Sequence, residues 1–268
     1  TLPGLGITSV ALSPSPLNLA GGIAALAKPG RAKNGEPQGR IADRELHLQL
    51  SLSRAARDQQ RAPTSLIGAL DMLRTAFTDA RQGIQGGPEI AILNQVIGGS
   101  RRVFAFADTY TELSGVLDLA QEFGFEPVIV GGIEAAKVLP RLIAQKAAIV
   151  LPTLSPEQRL AELELPAALA QAGVPFCFGG DPRQLRLSAA LAVRHGLDRD
   201  VALQALTRTP ALLLGLEDGV GSLRRGRAAD FAVWRGHPLD LSSSHLATFV
   251  DGRQLAGDSA ANDTSGER

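Results

Sequence analysis

Three acidic residues stand where a carboxylate could do chemistry. Asp108, Glu134 and Asp181 each follow the end of a short apolar run. Oxygen atoms are the ligands that hard cations such as Mg²⁺ prefer, so the three predict a metal-binding cluster, with Asp181 also a candidate catalytic base. The alternative is that they are ordinary helix-start residues, because the helix dipole favours acidic side chains there. Asp181 followed by Pro182 fits such a cap equally well.

The four histidines show no spacing typical of a metal site. His195 precedes Gly196, which is the pattern of a helix C-terminus, where a cation meets exposed carbonyl groups. His47 lies in a stretch that indicates mixed helix or loop, and His237 and His245 lie among short predicted strands. We expect these last three to be surface residues.

Two other features have ordinary interpretations. Lys28 stands where a predicted strand gives way to a loop, which indicates a solvated lysine. Gly131-Gly132 resembles part of a nucleotide loop, but neither the G-x-G-x-x-G spacing nor a phosphate-binding lysine accompanies it. We therefore predict no nucleotide site.

The elements that must position these residues form a regular alternation after residue 100. Short apolar runs predict buried strands, and segments with apolar residues three and four apart predict the helices between them. Strands without polar alternation indicate a parallel sheet covered by helices. The predicted strands are 102–107, 127–131, 147–151 and 174–178, and the predicted helices are 109–123, 134–145 and 156–172.

The ends of the chain are less regular. Strands are predicted at 6–12 and 23–27, a loop at 28–39 and a helix at 64–82. After Gly215 the pattern changes to short strands, with the Asp251-Gly252 pair predicting a hairpin turn.

Composition excludes several classes of function. The 27 basic and 27 acidic residues are interspersed, so no basic face is available for nucleic acid or an anionic membrane. No apolar stretch is long enough to cross a bilayer, and no targeting signal is visible, so we expect a soluble protein whose compartment the sequence does not indicate. The single cysteine, Cys177, lies in an apolar run, which predicts a buried and unreactive thiol.

A resemblance to a known family covers nearly the whole chain. The segments 202–216 and 220–234 resemble the end of the metal-dependent amidohydrolase superfamily, where the last barrel helices lead into a small β-sandwich. Residues 6–10, 18–22, 62–65 and 117–124 are similar to its imidazolonepropionase-like branch. The resemblance implies a barrel of βα units and the hydrolysis of non-peptide carbon–nitrogen bonds.

The resemblance also implies Zn²⁺ or another divalent metal, held by histidines after several strands, sometimes by a lysine, and by an aspartate after the eighth strand. Asp181 stands where the aspartate is expected, and Lys28 is a candidate for the lysine, with a solvated loop lysine as the favoured alternative. The expected fifth-strand histidine is Phe106, however, and the expected sixth-strand histidine is Gly131. The family's His-x-His pair would lie upstream of residue 1, which suggests a fragment or truncated gene.

These observations predict a partial TIM-like (βα) barrel over residues 1–215, a remnant of the small β-sandwich over 216–256 and a disordered tail over 257–268. The favoured function is a catalytically impaired amidohydrolase that binds no metal tightly. The alternatives are a non-catalytic binding or assembly module with a small-molecule ligand at the barrel mouth, or an enzyme whose missing ligands come from a longer parent chain or a partner. A barrel with missing strands has unpaired edges, so we also expect association, for example as a homo-oligomer.

Overall fold

Most of the chain lies around one six-stranded sheet. The computed structural model describes residues 1–32, 36–58, 60–84 and 86–257. The N-terminal strands are β1 (Val10–Leu12), β2 (Ala20–Ile23), β3 (Ala25–Arg31), β4 (Pro37–Asp43) and β5 (His47–Ser51), followed by helices α1 (Leu66–Arg81) and α2 (Pro88–Ile97). The βα units that follow are β6 (Arg102–Ala107), α3 (Tyr110–Phe123), β7 (Pro127–Gly131), α4 (Leu139–Ala144), β8 (Ala148–Leu151), α5 (Leu160–Gln171) and β9 (Phe176–Phe178).

The sheet is an open, partial barrel. Its strand order is β2-β5-β6-β7-β8-β9, in which β5 to β9 are parallel and β2 is antiparallel at one edge. Helices α6 (Leu185–Arg194), α7 (Arg199–Gln204) and α8 (Arg208–Leu214) follow β9. The four strands predicted after residue 100 are all confirmed, because uninterrupted apolar runs are typical of strands covered on both faces.

The two faces of this sheet have different neighbours. Side chains that point outward pack against the helices in the main hydrophobic core, which includes Leu50, Ala105 and Ile149. The intervening side chains point to the inner face, where Phe104 and Cys177 belong to a separate, smaller cluster that is covered in part by Leu213 of α8. Alternation along each strand therefore divides the sheet into a helix-covered outer face and a partly open inner face.

The ends of the helices match the sequence in part. Thr109 and Glu112 have the sequence spacing that predicts a capping box, and this box is present at the start of α3. His195 is the C-cap of α6, as expected. The predicted start at Ser155-Pro156 is wrong, because the α-helix begins only at Leu160. A serine followed by proline suits a turn as well as a helix start.

Residues 25–43 differ from the prediction. The segment predicted as a loop contains most of the β3–β4 hairpin, which forms a three-stranded antiparallel sheet with β1. A second antiparallel sheet consists of β10 (Phe231–Arg235), β11 (Ser244–Val250) and β12 (Arg253–Gly257), with the predicted turn at Asp251-Gly252. Residues 258–268, which make up almost all of the predicted tail, lie outside the described residues.

Lys28 joins these two small sheets. Its Nζ lies 2.7 Å from Asp230 Oδ2 and 2.8 Å from Asp251 Oδ1. The side chains of Lys28 and Asp230 are only 6% and 3% exposed, whereas Asp251 is 42% exposed and also pairs with Arg40. The expectation of a solvated loop lysine is therefore wrong, since the loop is a strand whose lysine points at two carboxylates from distant parts of the sequence.

Replacing Lys28 by methionine is expected to lower the free energy of unfolding by about 3–5 kcal/mol, because Asp230 would be left buried without its counter-charge. Arg40→Met is the matched control: it removes an exposed cation from the same network and should cost less than about 1 kcal/mol. Urea unfolding measures both. Equal costs for the two variants would contradict a structural role for the buried pair.

Candidate functional site at the inner face of the sheet

The three predicted carboxylates lie at the same edge of the sheet. Asp108 directly follows β6, and Glu134 and Asp181 come three residues after β7 and β9, so each stands beyond the C-terminal end of a parallel strand. This edge corresponds to the mouth at which βα-barrel sites form. Their side chains nevertheless make separate local contacts.

Asp181 is paired with an arginine two residues further along. Arg183 donates to both carboxylate oxygens, with Nη2 2.7 Å from Oδ2 and Nε 3.1 Å from Oδ1. The backbone N–H of Arg183 also donates to Oδ1. The hydrogen bonds from the Arg183 side chain are the main reason that the pKa of Asp181 is lowered. A guanidinium therefore already neutralises the residue predicted as metal ligand and base.

Glu134 is bound to the start of the neighbouring helix. It accepts a hydrogen bond from the backbone N–H of Tyr110 at 2.6 Å and forms an ion pair with Lys137. The bond from Lys137 is the largest reason that its pKa is lowered. The side chain thus binds the start of α3 and makes no capping hydrogen bond to the turn that follows it, so its role differs from the helix-start role that the sequence left open.

Asp108 occupies the space beside Gly131. A Cβ atom at position 131 would lie 2.2 Å from Asp108 Oδ1, and Gly131 has a φ of +107°, which residues with side chains rarely adopt. Burial, and then the charge of Glu112, raise the pKa of Asp108, while the backbone N–H groups of Gly132 and Ile133 act in the opposite direction. Aspartate and glycine are thus fitted to each other at the mouth.

The residues present do not fit the divalent metal that the resemblance implies. The predicted fifth- and sixth-strand ligand positions are Phe106, which has no donor atom, and Gly131, which has no side chain and no room for one. Within the described ranges, no group of three His, Cys, Asp or Glu side chains is placed to hold a metal ion. The structure does not bring Asp108, Glu134 and Asp181 together as the predicted cluster.

A large cavity lies between the inner face and the two small sheets. Its volume is about 1640 Å³. The strand residues that line it are mostly apolar, namely Phe104, Phe106, Val130, Val150 and Cys177. Cys177 is buried, and this burial raises the pKa of its thiol to about 12. The cavity includes Asp108 and Gly131 at the mouth.

Two polar residues of this wall were missed by sequence reasoning. His47 and Gln49 lie on β5 and are each only 1% exposed, so the prediction of a surface His47 in helix or loop is wrong. Burial lowers the pKa of His47 from 6.5 to about 4, and the nearby Gln49 side chain opposes this only in part. The alternation of His-Leu-Gln-Leu-Ser over 47–51 was the available signal for a strand with one polar face.

The other histidines have structural partners. His237 Nδ1 accepts from the backbone N–H of Leu239. The Nε2 of His245 lies 2.7 Å from Thr248 Oγ1, and that hydroxyl also donates to the Pro3 carbonyl. His245 lines the cavity rather than the outer surface.

Comparison with known proteins agrees with this architecture. A model of the amidohydrolase family matches residues 134–256. An imidazolonepropionase of Aeromonas hydrophila is 39% identical over 94 residues, which cover 31% of this chain but only 23% of that enzyme. The crystal structure of an amidohydrolase from Thermotoga maritima superimposes with a TM-score of 0.84 and 25% identity over 95% of this chain and 73% of that one. Residues 134–256 are thus similar in sequence to the amidohydrolase family, and the fold of nearly the whole chain is similar to that of an amidohydrolase.

Similarity of fold does not extend to the residues of the site. A β-aspartyl dipeptidase from Fervidobacterium islandicum shares the fold at a TM-score of 0.56 and 12% identity, a level that indicates architecture alone. The superfamily is metal-dependent, whereas this amidohydrolase-type mouth has phenylalanine and glycine at two predicted ligand positions.

No described helix is long and apolar enough to cross a bilayer.

Gly131→Ala is expected to destabilise the protein more than Gly22→Ala. Both glycines have φ near +110°, but a Cβ at Gly22 would meet only Pro14 Cγ at 3.9 Å, whereas one at Gly131 would displace the Asp108 carboxylate. We expect about 1–3 kcal/mol of additional cost at Gly131, because Asp108 would lose its backbone donors. Urea unfolding of both variants measures the difference, and Asp108→Ala should abolish it in a double-mutant cycle. Equal costs would show that the fit is not tight.

Stability should depend on pH through His47. Its folded pKa of about 4 lies below the ordinary 6.5, so between these values the unfolded chain binds more protons. The free energy of unfolding should therefore fall as the pH is lowered from about 6.5 towards 4, by up to about 1.4 kcal/mol per pH unit from this residue. His47→Phe should lack this contribution. Parallel pH profiles for the wild type and the variant would contradict the prediction.

Proposed function

We propose that this chain is a non-hydrolysing member of the amidohydrolase superfamily that uses the inner-face cavity to bind a small molecule. The observation that supports this most is the fit between Asp108 and Gly131. A histidine ligand at the end of β7 would need the space that the Asp108 carboxylate fills, together with a backbone conformation that favours glycine. Loss of the ligand is thus built into the local geometry and is more than a change of one side chain.

The remaining carboxylates at the mouth do not replace the missing histidine ligand. Zinc in proteins is held by three or four protein ligands, and among the predicted carboxylates Asp181 is neutralised by Arg183 while Glu134 is bound to Tyr110 and Lys137. A water molecule at this mouth would lack the clustered ligands needed to lower its pKa to about 7. The donor set therefore favours binding over hydrolysis.

The cavity itself suits a ligand. Its volume is larger than the roughly 300–1,000 Å³ of common small-molecule sites, so it has room for a ligand of that size. Its wall combines apolar side chains of β6 to β9 with a few polar groups, which is the composition typical of such sites.

The expected association through the open sheet edges stays a prediction.

The purified chain is expected to contain no stoichiometric zinc and to hydrolyse no amide, lactam or imidazolone substrate, even with added Zn²⁺ or Mg²⁺. Elemental analysis and product detection by mass spectrometry check this. Asp181→Ala should change neither result, and Asp118→Ala, which removes an exposed carboxylate of α3, is the matched control. About one tightly bound zinc per chain, lost together with turnover in Asp181→Ala alone, would restore the enzyme as the better proposal.

A further inference from the structure

Two buried polar atoms on the wall of the cavity have no hydrogen-bond partner. They are Nδ1 of His47 and Oε1 of Gln49, which lie two residues apart on the inner side of β5. Both residues line the cavity, and both are only 1% exposed. Leaving a buried polar atom unsatisfied costs about 1–3 kcal/mol, so such atoms are rare without a reason.

The other side-chain polar atoms of these two residues have hydrogen-bond partners, so only Nδ1 and Oε1 are available to a ligand. The Gln49 amide nitrogen donates to the carbonyls of Leu50 and Phe104 at 3.0 and 2.9 Å, so the side chain is held with Oε1 as an unused acceptor. His47 Nε2 lies 3.2 Å from Ser13 Oγ, and the imidazole ring stacks on Phe104 at a centroid distance of 3.7 Å. The pair is therefore rigidly positioned by contacts on both side chains.

We infer that His47 and Gln49 form a recognition site for an uncharged, planar aromatic molecule that carries an N–H or O–H group. The inference rests on the proposed function, because it assumes that the cavity binds a ligand. The donor group of the ligand would bond Gln49 Oε1 and contact His47 Nδ1. Its ring would lie along the apolar side chains of the neighbouring strand β6, where Phe106 is the next inner-face residue after Phe104.

The chemistry of the site selects against charge. The unused Gln49 atom accepts hydrogen bonds only, which excludes a carboxylate or phosphate at this position. A cation would need a counter-charge to offset desolvation, and the site itself offers an amide and an imidazole. The same burial keeps His47 neutral at neutral pH. A donor on an aromatic ring meets both requirements.

Indole and benzofuran test the inference as a matched pair, because they have nearly the same shape and only indole carries an N–H donor. Titration of the full chain, followed by ligand-observed NMR, should give an affinity for indole about tenfold higher than for benzofuran. Gln49→Met keeps the length of the side chain and removes the acceptor, so it should reduce this ratio to about one by weakening indole alone.

Two further variants guard the result. His47→Phe keeps an aromatic ring against Phe104 and should weaken indole severalfold even if Gln49→Met fails to fold. His195→Gln lies at the end of α6, outside the cavity lining, and should leave both affinities unchanged. Circular dichroism establishes that each variant is folded.

The outcomes separate the two proposals. Equal affinities for indole and benzofuran in the wild type, or an unchanged ratio in Gln49→Met, would overturn the donor site while leaving cavity binding intact. If neither compound binds, and the apolar dye ANS does not bind either, the proposed function fails together with the inference. A crystal structure with indole in the cavity but an ordered water retained between Oε1 and Nδ1 would also overturn the inference.

Discussion

The structure depends on the burial of one face of a parallel sheet beneath helices. Each strand from β5 to β9 presents alternate side chains to the main core, where residues such as Leu50 and Ile149 are almost completely buried. Because side chains alternate along a strand, this requirement also decides which residues must face the other way. The inner-face residues are therefore fixed in position by the outer face, and the cavity is a consequence of that division.

The small sheets complete the cavity from the opposite side. One comes from the N-terminal part of the chain and the other from the C-terminal part, and Lys28 connects them through Asp230 and Asp251. A second set of contacts comes from Arg186 of α6, which lies 4.5 Å from the ring centroid of Trp234 and donates to backbone carbonyls between residues 238 and 243. These contacts set how far the β-region stands from the inner face, and hence the size of the space between them.

At the mouth, the fold that positions metal ligands in the superfamily here positions carboxylates that are bound by neighbouring residues. The edge where Asp108, Glu134 and Asp181 stand is the edge at which barrel sites form, yet each carboxylate is engaged by a neighbour close in sequence or on the next strand. Fold and activity are separable for this reason: parallel pairing places residues at the edge, but the residue types there decide what they do. Two of the buried polar atoms that lack hydrogen-bond partners, His47 Nδ1 and Gln49 Oε1, lie instead on β5.

The sequence by itself determined the βα units after residue 100, the capping box at Thr109 and the hairpin at Asp251-Gly252, because these depend on local spacing and on runs of apolar residues. The resemblance to the amidohydrolase superfamily also predicted that Phe106 and Gly131 stand at ligand positions. Only the tertiary structure decided the roles of His47 and Lys28. A short strand with alternating polarity is ambiguous in isolation, and a lysine becomes buried only when carboxylates more than two hundred residues away meet it. Such partners are set by packing between distant segments, which local sequence patterns do not encode.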